Sequence, residues 1–186
     1  MGERDAKRKD AARIIHPIPP FYDESSRILI LWSFPSVKSR EQQFFYGHPQ
    51  NRFWKVLAGV LQPDGGGRER DRAGIRIPGT VPEKKEFLKA HHIALWDVIA
   101  SCEIAGSSDA SIREVTANDL TQILEAADID AIYTNGSKAY DLYNRYVLPQ
   151  TGRDAVKLPS TSPANAAYST DRLVAIWGSA LDRRNL

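Results

Sequence analysis

The stretch Arg27–Leu31 reads Arg-Ile-Leu-Ile-Leu, a run of strand length with no polar residue at alternate positions. A strand written this way must be covered on both faces, and the common solution is a parallel sheet between helices. Three further runs share the character: Ile93–Trp96, Ile129–Tyr133, and Ala155–Leu158, which stops at Pro159. Helical periodicity lies around them. Asn51–Leu61 carries Phe53, Trp54, Leu57, Val60 and Leu61 on one face. Pro82–His91 follows with Phe87 and Leu88, Ser137–Tyr146 with Tyr140, Leu142, Tyr143 and Tyr146, and Thr170–Leu181 with Leu173, Ile176, Trp177 and Ala180. Thr116-Ala-Asn-Asp119 resembles a capping box with Asp in place of Glu, and predicts a helix from there through Ala126. Alternating strands and helices predict an α/β chain with helices on both faces of a parallel sheet. Ligands of such sheets sit beyond the carboxyl ends of the strands, so function is sought just after Leu31, Trp96, Tyr133 and Leu158.

The 186 residues suit one domain, predicted over 16–186, with a charged tail at 1–15. Gln62–Thr80 breaks the pattern with Gly65-Gly-Gly67 followed by Arg68, Arg70, Arg72 and Arg76, and is expected to be a flexible surface insertion. Hydrophobic residues make up 42% of the chain, which sets it apart from disordered sequences. No apolar run reaches the roughly 20 residues of a membrane helix, and no signal-peptide pattern opens the chain, so cytoplasmic residence is expected. Cys102 is the one cysteine, and the four histidines form no ligand pattern, so no metal or cofactor is expected. The net charge of +2 gives no global positive field, and any nucleic-acid binding must rest on local basic patches.

Two segments are more specific than composition. The first is Trp32-Ser-Phe-Pro-Ser-Val-Lys-Ser-Arg40, continued by Phe44-Phe-Tyr-Gly-His-Pro-Gln-Asn-Arg-Phe-Trp54. The second is Leu158-Pro-Ser-Thr-Ser-Pro-Ala-Asn165. Together they resemble motifs 1 and 2 of the uracil-DNA glycosylase superfamily: the His-Pro-Gln-Asn-Arg-Phe-Trp stretch is similar to that of the mismatch-specific uracil/thymine glycosylases, and the Ser-Phe-Pro-Ser and Ser-Thr-Ser-Pro-Ala-Asn versions are similar to the hypoxanthine (deoxyinosine) branch. The resemblance runs from about Pro17 to about Trp177. It implies a three-layer α/β/α sandwich around a four-stranded parallel sheet. It also implies a monomeric, monofunctional enzyme that flips a deaminated base out of DNA and hydrolyses its N-glycosidic bond with water.

Such chemistry has three requirements: a pocket for the extruded base, stabilisation of the transition state, and a grip on DNA. The resemblance places Tyr46 under the flipped base and backbone groups near Ser33 and Phe34 at its edge. An ordinary packed aromatic is the other reading of Tyr46. Most of the superfamily has Asp or Asn in motif 1 to hold the water, where this chain has Phe34. In the hypoxanthine branch a downstream Asn takes over, and Asn51 matches it. An amide can orient water through its carbonyl oxygen. Asn51 also stands where Asn is a favoured helix N-cap, so both roles stay open. Ser160, Thr161 and Ser162 form a hydroxyl-rich loop suited to phosphates, although Ser162-Pro163 also suits a helix start. Asn165 or Ala166 matches the tip that enters the gap left by the base. Lys38 and Arg40 are candidates for phosphate contact or plain solvated charge. His48, His91, His92 and Cys102 have ordinary structural explanations. So do Asp97 and Asn135-Gly136, although both stand at the ligand-facing edge.

One residue departs from the family pattern: Trp32 stands where Gly is usual. Its indole has three possible fates, which are to plug the pocket, to stack on the base, or to enter the core. Altered base specificity is therefore expected, with a uracil or other modified-base glycosylase as one alternative. A catalytically weakened DNA-binding protein of the same fold is another. A small-molecule nucleotide enzyme would want a Gly-rich loop after the first strand, and Leu31-Trp-Ser-Phe-Pro-Ser36 has none.

Overall fold

A computed structural model of the chain describes residues 12–62, 76–105 and 108–182. Two sheets organise it. The larger has the order β3-β2-β6-β7, from Ile93–Asp97, Ile28–Trp32, Ala131–Asn135 and Ala155–Leu158, with every neighbouring pair parallel. All five residues of β3 and of β6 are buried, and Ile28 to Leu31 of β2 are at most 3% exposed. The four apolar runs of the sequence are these four strands. The two edges are protected differently. β7 exposes Val156 and Lys157, and a charged edge residue discourages pairing with other chains. The β3 edge is covered by Phe21, which exchanges both backbone hydrogen bonds with Leu95 at 2.8 and 2.9 Å.

Among the described residues seven α-helices pack around this frame: α1 (Val37–Gln42), α2 (Phe53–Leu61), α3 (Val81–Ala90), α4 (Thr121–Ala126), α5 (Ser137–Tyr146), α6 (Leu148–Thr151) and α7 (Thr170–Leu181). Thr80 opens α3 through a complete capping box with Glu83. The Glu83 carboxylate also accepts the Gly79 and Thr80 N–H groups, which hold its pKa down at about 2.

The second sheet was not foreseen. β1 (Ala12–Ile15), β4 (Ile99–Ile104) and β5 (Arg113–Ala117) pair antiparallel in the order β1-β4-β5. Two expectations are corrected here. Residues 12–15 belong to a strand, not to the charged tail, because β4 offers them a partner. Thr116 lies in β5 instead of capping a helix. The following helix begins only at Thr121, whose N–H is met by Asp119 Oδ1 at 2.9 Å. Asn118 between them is buried, and its Nδ2 donates to the carbonyls of Asp97 (2.8 Å) and Ile99 (3.1 Å), tying the two sheets together. Of the predicted insertion at 62–80, residues 63–75 lie outside the described residues. No described helix is long and apolar enough to cross a membrane.

Candidate active site

Chain order in the main sheet reverses between β2 and β6, and that crevice is where an open parallel sheet binds ligands. A cleft of about 380 Å³ opens at this end of the sheet, within the size range of small-ligand sites. Its walls include Trp32, Phe34, Tyr46 and Asn51 from the motif 1 region, Ser162 from motif 2, and the carboxylates Asp97 and Asp109. Motifs over 100 residues apart in sequence thus form one wall.

Tyr46 is built as a platform. Its ring stacks on Phe53 with centroids 3.6 Å apart and an 11° tilt. Phe53 is fully buried and meets Trp177 edge-on at 5.9 Å, so the platform rests on the core. Tyr46 has φ +53, an unfavourable conformation for a residue with a side chain. Strain of this kind persists only where the surroundings impose it, and it concentrates at functional sites. Gly47 follows because a Cβ there would stand 2.9 Å from the Lys38 carbonyl oxygen. The Tyr46 hydroxyl faces Asn135 without closing a hydrogen bond. Burial first, and the Asp97 charge second, keep that phenol protonated well above its ordinary pKa of 10.0.

Trp32 neither plugs the cleft nor enters the core outright. It ends β2 half-buried, with its indole edge-on to Tyr46 at 5.5 Å and 84°. It forms a side wall and leaves the cleft open. Phe34 is buried and lines the cleft where the family carries a polar residue. The Ser33 carbonyl accepts from Ile99 N–H at 3.2 Å, and the Ser33 hydroxyl donates to Asp109 Oδ1 at 2.7 Å.

Asn51 is held by two donors. Its Oδ1 accepts from Phe53 N–H and from the Thr161 hydroxyl, each at 2.9 Å. A carbonyl oxygen has two lone pairs, so both are engaged, and the group left to face the cleft is the amide nitrogen, a donor. The expectation that Asn51 orients water through its oxygen is revised accordingly. The capping expectation holds in modified form, because Asn51 meets the first N–H of α2 although Arg52 occupies the cap position.

Thr161 requires a correction. It is fully buried, not presented to phosphates. Its N–H donates to Asn135 Oδ1 (3.0 Å), and its hydroxyl accepts from Asn135 Nδ2 (2.9 Å) while donating to Asn51. The Asn135-Gly136 pair therefore does more than turn the chain. Gly136 has φ +102, and a Cβ there would stand 3.0 Å from Ser160 Cβ, so glycine lets motif 2 close onto β6. Nor does Ser162-Pro163 start a helix. Turns occupy 162–168, and α7 begins at Thr170 behind the Ser169 cap.

Arg52 was overlooked by sequence reasoning, although it sits in the Asn-Arg-Phe-Trp signature. Its guanidinium donates to the carbonyls of Ser162 (2.8 Å), Asn165 (2.9 Å) and Tyr168, and more weakly to Thr161 (3.4 Å). It holds the whole motif 2 loop from below. Asn165 folds its amide back to the Ser160 carbonyl at 2.8 Å, which leaves Ala166 as the exposed member of the expected tip. Ser160 and Ser162 accept from the N–H groups of Ser162 and Ala164, both at 3.2 Å. Of the two basic candidates, Lys38 is exposed and pairs with Glu41 at 2.7 Å. Arg40 donates to the Pro35 carbonyl at 3.2 Å and lies 5.9 Å from the Phe34 ring centroid, bracing motif 1. Cys102 is buried, and burial raises its thiol pKa to about 11, so it is no nucleophile.

An aromatic floor, a donor amide and a clamped, hydroxyl-bearing loop meet in one cleft at the carboxyl edge of a parallel sheet, where α/β enzymes bind their ligands. The family model described as the Uracil DNA glycosylase superfamily matches residues 19–180, and the chain belongs to that family. It is a monofunctional DNA glycosylase, acting on DNA by hydrolysis. Two similar proteins are named hypoxanthine DNA glycosylase. The one from Methanosarcina acetivorans is 33% identical over 156 residues, covering 83% of this chain and 90% of its own length. The one from Methanosarcina barkeri is 29% identical, covering 89% and 96%. A solution NMR structure from Methanosarcina acetivorans, of a protein provisionally assigned as a uracil DNA glycosylase, superposes with a TM-score of 0.66. It is 29% identical, with 89% of this chain and 98% of that chain covered.

Proposed function

We propose that the chain excises hypoxanthine from deoxyinosine in DNA, leaving an abasic site. The observation that carries this reading is the Tyr46 ring seated on Phe53 at the floor of an open cleft that Asn51 also lines. A ring face accepts any flat base by stacking. Extrusion of a deaminated base costs a few kcal/mol, less where its pairing is already weak. As the glycosidic bond lengthens, negative charge gathers on the purine and positive charge on the sugar. A fixed donor such as the Asn51 amide acts on charge that develops only in the transition state. Two relatives named for hypoxanthine support the choice of base. The open cleft beside Trp32 speaks for an active enzyme over a purely DNA-binding one.

The test uses labelled duplexes carrying inosine, uracil or xanthine, incubated with the protein and then treated with alkali. Strand breakage at inosine, ahead of the other two, is the expected result. Breakage at uracil alone transfers the assignment to that base. Binding to the duplex without breakage at any lesion leaves a non-catalytic DNA-binding protein.

A further inference from the structure

We propose that Asp109 is the catalytic carboxylate of this cleft, holding the attacking water and taking its proton. The inference rests on the glycosylase reading above. Position 34, where the family carries its water-binding residue, is a buried phenylalanine. Both lone pairs of Asn51 Oδ1 are occupied by protein donors. Among the described residues lining the cleft, two carboxylates remain. Asp97 is 2% exposed and its Oδ2 is bound to His16 Nε2 at 2.7 Å. The His16 Nδ1 accepts from Ile18 N–H, which fixes the proton on Nε2 and directs it at Asp97. Asp109 is different. It opens the short 3-10 helix Asp109–Ser111 between β4 and β5, and it is only partly buried. One oxygen accepts from the Ser33 hydroxyl at 2.7 Å, and the other carries no hydrogen bond to a described residue. The acid missing at position 34 is thus returned next to the neighbouring Ser33, from a loop 76 residues beyond that serine.

The chemistry balances without a further reactant. The water oxygen forms a bond to the sugar C1′, and the C1′–N9 bond breaks with its electron pair leaving on the purine. The proton released from water goes to Asp109, and solvent returns one to the purine. A carboxylate is a better acceptor for that proton than an amide. Burial raises the Asp109 pKa above the ordinary 3.8, in the direction a general base needs. The charged or titratable groups that face it or share its cleft are Lys138 of α5, Cys102 of β4, Asp97 with its partner His16, Tyr46 and His48.

The test compares single-turnover hypoxanthine release by the wild type, Asp109→Asn and Asp109→Glu across pH, with duplex affinity and melting temperature measured in parallel. Asn keeps the bond from Ser33 and removes the base. It is expected to slow release by about 10²–10⁴-fold, to leave affinity unchanged, and to abolish the fall in rate at low pH. Glu is expected to recover part of the rate. Removal of a half-buried charge leaves the melting temperature at neutral pH equal or higher, so misfolding does not confound the result. Release by Asp109→Asn at the wild-type rate with the wild-type pH profile overturns the proposal while the glycosylase reading stands. A rate loss matched by lost affinity or stability also overturns it in favour of a structural role. No release of any base by the wild type overturns both readings together.

Discussion

Trp32 illustrates how one side chain sets the limits of a pocket. Its indole edge meets the Tyr46 ring at 5.5 Å, so it walls the cleft and steadies the platform at once. Such an aromatic pair is worth about 0.5–1.5 kcal/mol beyond its buried area. Trp32→Gly opens the wall, and a change of one such contact alters discrimination by about tenfold or more. Hypoxanthine excision by Trp32→Gly is expected to rise by about that factor, with a small loss of melting temperature from the lost pair. Single-turnover rates on inosine and xanthine duplexes decide it, and an unchanged rate and ratio would remove Trp32 from the specificity of this site.

At the scale of elements, the motif 2 loop is positioned by α2 from below and by β6 from the side. Arg52 at the start of α2 reaches four carbonyls of the loop with one planar fork. Lysine has a point charge on a flexible stem and cannot meet that set. Arg52→Lys is expected to cost about 1.5–3 kcal/mol, the range for hydrogen bonds to a charged group, in a urea melt. DNA affinity should fall with it, because the loop loses its fixed shape. A melt superimposable on wild type would show that the loop is held by Thr161 alone. The start of α3 gives a pH signature. Glu83 has its pKa lowered from 4.5 to about 2 by the Thr80 and Gly79 N–H groups. A lowered carboxylate pKa stabilises the fold above the unfolded value and loses that contribution as pH falls through the folded one. The melting-temperature difference between wild type and Glu83→Gln should therefore be steady above pH 4.5 and shrink toward pH 2. A difference that persists undiminished at the acid end would show that the charge of Glu83 is not its source.

For the molecule as a whole, the floor of the cleft and the core are one stack. Phe53 is fully buried between Tyr46 and Trp177, so the site rests on the packing of α2 against α7. Phe53→Ala is expected to cost about 3–5 kcal/mol by denaturant melting, as buried Phe to Ala changes do. It should also reduce excision at temperatures where the protein remains folded, since Tyr46 loses its support. Full activity in a folded Phe53→Ala protein would separate platform from core. The cleft is walled by both sheets as well, through Asp97 of the parallel one and Ile104 of the antiparallel one.

The sequence alone determined the elements whose signal is local. Four parallel strands, their carboxyl-end site and the helices Ser137–Tyr146 and Thr170–Leu181 follow from period and punctuation, because a buried strand must be apolar throughout and a surface helix only along one face. The antiparallel sheet escaped, since the residues of β5 are largely exposed and carry no apolar alternation, and β1 becomes a strand only by pairing with β4 some 88 residues away. The site divides along the same line. Tyr46 and Asn51 were legible because they stand inside a contiguous signature. What each atom offers was not, because Asn51 Oδ1 is occupied by a hydroxyl 110 residues distant and Thr161 is buried by Asn135 of another strand. Asp109 has no motif around it. Only the meeting of the β4–β5 connection with the end of β2 brings its carboxylate to Ser33, and a contact made by chain closure leaves no mark in the local pattern of residues.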